Sequence, residues 1–133
     1  MVEVAVQMRF ADVDQLGHVN NVNLQHYFDL GKTEYYLRVL KLTIDWHGEG
    51  FIQKATHTVY EAQTRLGEPI VVLSKVEKIG TTSFSMYQEI RNKETDELKA
   101  YSRSTLVMFD FEKQEKIPVP DGWRTAISVY EGW

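Results

Sequence analysis

The sequence predicts an α+β domain: a five-stranded antiparallel sheet against one long helix. Apolar side chains recur close to every 3.6 residues over residues 23–40, the mark of a helix with one buried face. Four later stretches are rich in β-branched and aromatic residues and are bounded by Gly, Pro and Asn, which reads as strands joined by turns. One apolar helix stripe facing a sheet is a two-layer architecture. At 133 residues, the chain reads as one domain over residues 1–133, long enough to bury a core.

The first strand is carried by alternation, with Val4, Val6, Met8 and Phe10 on one side and Glu3, Ala5, Gln7 and Arg9 on the other. A polar turn follows, holding Asp12, Asp14, Gly17, His18, Asn20 and Asn21. The helix then runs over Asn23–Leu40, with Leu24, Tyr27, Phe28, Gly31, Tyr35 and Val39 forming the apolar face. Asn20 or Asn21 caps it, because a short side-chain oxygen accepts an orphan N–H. Gly31 inside a helix costs about 1 kcal/mol relative to alanine, and a close approach of the sheet is the reason to expect for it.

Thr43–Gly50 reads as a loop and Phe51–Glu61 as the second strand. Strict alternation puts Ile52, Lys54, Thr56, Thr58 and Tyr60 on one face and Phe51, Gln53, Ala55, His57 and Val59 on the other. Arg65–Pro69 is a turn by its Gly and Pro. Ile70–Ile79, Ser83–Arg91 and Leu98–Phe109 are the remaining strands, joined by turns at Gly80–Thr82 and Asn92–Asp96. The order predicts a meander of four strands after the helix. The Ile117–Pro120 segment stops the last strand, since proline cannot donate to a ladder. Asp121 is then expected to cap a short helix reaching Tyr130.

Composition narrows the function classes. A hydrophobic content of 43% and a charged content of 26% are ordinary for a globular domain. No apolar run approaches the roughly 20 residues of a membrane span, and the N-terminus has no basic region or signal-peptide core. There are no cysteines, which excludes disulfides, a thiol nucleophile and a cysteine zinc site, and which fits a cytoplasmic location. The net charge of −4 argues against nucleic acid as a partner. There is no Gly-x-Ser-x-Gly elbow and no phosphate loop. Asp12, Asp14, His18 and His26 do not have a recognised metal-ligand spacing.

A carboxylate in a loop just ahead of a helix start is an arrangement chemistry can use. The helix start offers unpaired N–H groups and partial positive charge, which can hold an oxygen gaining negative charge. A nearby carboxylate can serve as nucleophile or as general base on water. On its own, a loop aspartate is a turn former.

The run Asp12-x-Asp14-x-x-Gly17-His18-Val19-Asn20-Asn21, with the helix Tyr27-Phe28-Asp29-x-Gly31-Lys32-x-Glu34-Tyr35, resembles the hotdog-fold acyl thioesterases, in particular the 4-hydroxybenzoyl-CoA thioesterase-like family of acyl-CoA hydrolases. The His18–Asn21 run is also similar to plant-type acyl-carrier-protein thioesterases. The resemblance implies a hotdog fold, with the sheet wrapped around the long helix. It implies acyl-CoA thioester hydrolysis without a metal or redox cofactor, in a homodimer or homotetramer whose sites lie between subunits. It places the catalytic carboxylate at Asp14 and the oxyanion-binding backbone N–H at Asn21.

Under the same resemblance, Gly17 supplies a positive φ or close substrate approach, or is a simple turn glycine. Asn20 orients Asp14 or a water, or merely caps. His18 either positions substrate or locks the loop. Tyr27 and Phe28 line the acyl group, as do His57, Thr58 and Tyr60 of a strand that pairs across the dimer and faces the partner's Asp14. His26 is assigned to the surface or an interface, and Asp12 to the turn or a salt bridge. A hotdog module that binds acyl-CoA without turnover is the alternative of another class. A hotdog hydratase lacks its usual His and Asp pairing on the helix.

Overall fold

The computed structural model describes residues 1–42 and 48–133. The strands are β1 (Val2–Ala5), β2 (Glu49–Tyr60), β3 (Ile70–Ile79), β4 (Ser83–Asn92), β5 (Leu98–Asp110) and the two-residue β6 (Glu115–Lys116). The helices are α1 (Asn21–Tyr35), prolonged by one wider π turn over Tyr36–Leu40, and α2 (Asp121–Glu131). The sheet is antiparallel with the order β1-β3-β4-β5-β2, and β6 folds back on β5. It curls around α1, which is the hotdog arrangement.

The predicted helix face is the buried one. Leu24, Tyr27, Phe28, Gly31, Tyr35 and Val39 all face inward. Asn20 is the cap, its Oδ1 accepting the Val22 N–H at 2.8 Å. β3 spans the predicted residues without change, and β4 and β5 each run one residue further.

The core falls into two clusters. Val19, Leu24, Tyr27 and Phe28 pack on Ile70, Val72, Ile90 and Ala100. Tyr35, Val39 and Leu40 pack on Val76, Phe84, Met86, Leu106, Met108 and Ile127. Between them runs a polar rung across the inner face: Ser74, Gln88, Ser102 and Thr58, each paired in register with the next. Gly31 sits over this rung. A Cβ there would lie 2.6 Å from Val72 Cγ1 and 2.8 Å from both Gln88 Nε2 and Ser74 Oγ. Only glycine lets Gln88 Nε2 reach Ser74 Oγ and the Phe28 carbonyl, both at 2.8 Å.

Five expectations need correction. β1 ends at Ala5, Val6 adds one further bond to Ile70, and the chain then turns in a single 3₁₀ turn at Phe10–Asp12 that leaves Phe10 exposed. The Asp12 carboxylate draws the chain round by accepting the Arg9 N–H at 3.1 Å.

The strands after α1 do not form a plain meander. β2 pairs with β5 at the far edge, and the segment after Tyr60 crosses the end of the sheet. Glu61 and Ala62 donate to the Lys99 carbonyl, Thr64 accepts from Val19, and the chain reaches β3 beside β1.

In β2, Gln53 stands opposite Leu106 and Ala55 opposite Thr105, so Lys54 is an extra residue in a bulge. The bulge exchanges faces: Phe51 and Gln53 share the inner face with Thr56, Thr58 and Tyr60.

Asp121 is the first residue of α2 rather than its cap, which is Pro120. Of the expected loop Thr43–Gly50, residues 43–47 lie outside those described, and Glu49 and Gly50 already belong to β2.

Candidate active site

The polar loop is held at both ends by backbone bonds. Val13 and Val19 form an antiparallel bridge, the Asp14 N–H donates to the His18 carbonyl at 2.9 Å, and Gly17 donates back to Asp14 at 3.0 Å. The Asp14 Oδ1 accepts the Leu16 N–H at 2.9 Å, closing a turn through its own side chain. Gly17 adopts φ +80°, and nothing lies within 4 Å of where a Cβ would stand. Its backbone angle, rather than crowding, is therefore what a side chain would violate.

Asp12 and Asp14 are close in sequence and opposite in environment. Asp12 is buried, with its carboxylate accepting from the Tyr27 hydroxyl at 2.7 Å, the Arg9 N–H at 3.1 Å and the Arg9 guanidinium at 3.1 Å. Burial alone would raise its carboxyl, but the Tyr27 hydroxyl and the two Arg9 donors outweigh it and hold the group below its ordinary value. Burial and the Asp12 carboxylate together push the Tyr27 phenol up. The Asp12 carbonyl also receives the Asn20 N–H and the Asn23 amide, both at 3.0 Å. Asp12 thus ties loop to helix. Asp14 is half-exposed, and among the described residues its second carboxylate oxygen has no protein partner.

A cleft of about 290 Å³ opens at the start of α1. His18, Asn21 and Leu24 form one wall, Tyr60 another, and Glu61–Thr64 the floor. Among the described residues the Asn21 N–H has no acceptor, as expected of the first helical residue. His18 is fixed by a bridge to Arg65, and the Val19 N–H meets the Thr64 carbonyl at 2.7 Å.

The structure brings His18, Asn21 and Tyr60 together at this cleft. Thr58 stands behind Tyr60, and the Gln25 amide donates to both hydroxyls, at 3.0 and 3.1 Å. Asn20 is spent on capping. Asp14 does not line the cleft of the single chain. Tyr27 and Phe28 lie in the core, the latter with no exposed surface, and neither lines the cleft. His57 is exposed on the outer face opposite Arg103, turned away from Thr58 and Tyr60. His26 is exposed on α1 and, like His57, stands away from the cleft. Among the described residues no three His, Asp or Glu groups converge as a metal site.

The sequence assigns no role at the site to Glu61–Thr64, Gln25 or Lys32. The floor segment carries no motif, and its position follows from the crossover after β2. Lys32 is buried on the helix, where burial pushes its ammonium down and the Asp29 carboxylate opposes that shift.

Residues 8–127 match the sequence pattern of the Thioesterase-like superfamily. Among curated proteins, none matches the sequence. Solved structures resemble the chain over nearly its whole length. A thioesterase from Thermus thermophilus, complexed with coenzyme A and Zn, is 27% identical, with TM-score 0.85, covering 98% of this chain and 94% of its own. A predicted thioesterase from Bacillus stearothermophilus is 26% identical, with TM-score 0.82, covering 96% and 93%. The probable thioesterase YbaW from Escherichia coli, 15% identical with TM-score 0.79 over 95% of this chain and 96% of its own, shares the fold. By this match over most of its length, the chain belongs to the Thioesterase-like superfamily.

Proposed function

We propose that this protein is an acyl-CoA thioesterase, releasing a free acid and CoA. The observation that carries the reading is the unpaired Asn21 N–H at the mouth of a cleft, at the positive end of a capped helix. A thioester carbonyl placed there gains a donor aimed at the oxygen that becomes negative. Asp14 supplies the other half. Its carboxylate either attacks the carbonyl, expelling CoA thiolate and leaving an anhydride that water opens, or takes a proton from the attacking water. The likeness to a thioesterase complexed with coenzyme A supports CoA as the leaving group.

Asp14 lies outside the single-chain cleft, and β2 is an open edge with Ile52 exposed. Pairing of that edge in a homodimer, or a homotetramer built from it, brings the partner subunit's Asp14 toward Tyr60 and the Asn21 N–H.

The rival substrate is an acyl carrier protein, whose acidic surface needs a basic docking patch. Arg9, Arg38, Arg91, Lys93 and Arg103 each have a carboxylate partner. That interspersed surface supports CoA. The test is a hydrolysis screen over CoA thioesters of varied chain length and aromaticity, alongside the same acyl groups on carrier protein. Turnover of CoA thioesters is expected. Turnover of carrier thioesters alone favours the rival, and binding without turnover makes the protein a non-catalytic module.

A further inference from the structure

Lys32 is a buried cation with thin compensation. Its side chain is 6% exposed, while that of Asp29, its carboxylate partner 3.4 Å away, is 66% exposed. Its good hydrogen bond goes to the Gln53 Oε1 at 2.6 Å. An ammonium carries three donors, and a buried charge is costly unless paired.

The sheet beneath is polar as well. Ser104 stands on the inner face opposite Thr56, across the β2 bulge from Gln53. Among the described residues its hydroxyl is buried without a partner, and so is the Gln88 Oε1 one rung away. Buried polar atoms in folded proteins are nearly always paired. The floor under the Phe28–Lys32 turn therefore suits a polar occupant.

The α1–β2 seam begins at Tyr60, which also lines the cleft. Helix α1 packs on β1, β3 and β4, whereas side chains span the seam from α1 to β2. Gln25 meets Tyr60 and Thr58 at the cleft end, Lys32 meets Gln53 midway, and the Tyr36 ring meets Phe51 at 4.5 Å at the far end. At 1.5 Å per residue, Lys32 stands about 16 Å along the helix from Asn21.

We propose that the acyl group lies in the α1–β2 seam and that Lys32 selects acyl groups ending in a carboxylate. The inference rests on the acyl-CoA reading above. The carboxylate takes the Lys32 ammonium from Gln53 and accepts the Ser104 hydroxyl. A methyl-ended chain in the same place sets hydrocarbon against Thr56, Ser102, Ser104 and a buried cation.

The experiment compares kcat/KM for CoA thioesters in two series of matched length, one ending in methyl and one in carboxylate. The wild type is expected to prefer the carboxylate at an intermediate length. Lys32→Met keeps the side-chain length, and replacing a buried charge with an apolar group often leaves folding intact. It is expected to shift the carboxylate-to-methyl ratio roughly 10- to 100-fold toward methyl, the range for a hydrogen bond to a charged group. Ser104→Ala is expected to move it the same way by less. A wild type that prefers methyl ends at every length, or a ratio unmoved in Lys32→Met, overturns the inference while leaving the thioesterase. Absence of turnover in both series overturns the thioesterase reading and this inference with it.

Discussion

The Tyr27 hydroxyl donates to the Asp12 carboxylate at 2.7 Å, and both side chains are buried. This bond crosses from the first exposed turn of the chain to the second turn of α1. It fixes the loop carrying Asp14 against the helix start carrying Asn21. Tyr27→Phe removes the donor and leaves a buried carboxylate served by Arg9 alone. A hydrogen bond to a charged group contributes about 1.5–3 kcal/mol, so the variant should unfold at clearly lower urea concentration. An unchanged midpoint would remove Tyr27 from the joint.

The same carboxylate sets a pH dependence. Burial opposes ionisation of Asp12, but the Tyr27 and Arg9 donors win and lower its pKa from the ordinary 3.8. A group depressed on folding contributes stability that is complete above its unfolded pKa and is lost as pH falls through the folded value. Asp12→Asn lacks this contribution at every pH. The gap between wild type and variant should therefore be widest at about pH 7 and narrow below about pH 4. Denaturant melts of both proteins across that range measure it, and a gap independent of pH would contradict the assignment.

Gly31 tests the seat of the helix. A methyl there gains about 1 kcal/mol of helix propensity, yet it falls 2.6 Å from Val72 Cγ1 and 2.8 Å from Gln88 Nε2 and Ser74 Oγ. Overpacking typically costs about 1–3 kcal/mol, and displacing Gln88 also breaks its bond to the Phe28 carbonyl. Gly31→Ala should melt lower than wild type, and Gly31→Leu lower still. A raised melting temperature for either would mean that helix and sheet do not touch there.

What was legible in the chain was what local physics dictates. The apolar face of α1, the Asn20 cap and the span of β3 follow from periodicity and capping within a few residues. The faces of β2 did not, because one extra residue at Lys54 reverses everything beyond it and no composition signal marks it. The sheet order was hidden for another reason. A chain that leaves β2 can return to either edge, and Glu61–Thr64 has no turn residue that decides it. The cleft floor is made by that crossover, so the site was legible on its loop side and not on its floor. Phe10 continued an alternating pattern that the Arg9–Asp12 turn interrupts, which shows a side-chain bond overriding periodicity.

The two loop aspartates make the sharpest prediction for activity. Asp12 has its oxygens occupied by Tyr27 and Arg9, so it has no lone pair well placed for a substrate. Asp14 spends one oxygen on the Leu16 N–H and is half-exposed. An amide matches a carboxylate in shape but is neither a base nor an anionic nucleophile. The Leu16 bond survives in Asp14→Asn, since an amide oxygen also accepts, so the turn should keep its form. Turnover of the best CoA thioester should then collapse at unchanged melting temperature. Loss of general-base help alone is worth roughly 10²–10⁴-fold, and loss of a nucleophile more. Asp12→Asn should show the reverse: a lower melting temperature, with kcat of the folded fraction close to wild type. Measuring kcat and thermal melts for both variants separates the roles. An Asp14→Asn protein within threefold of wild type, beside a folded but inactive Asp12→Asn, would exchange the two assignments. Activity retained in both would place the chemistry on other groups at the cleft, with His18 the first to be tested.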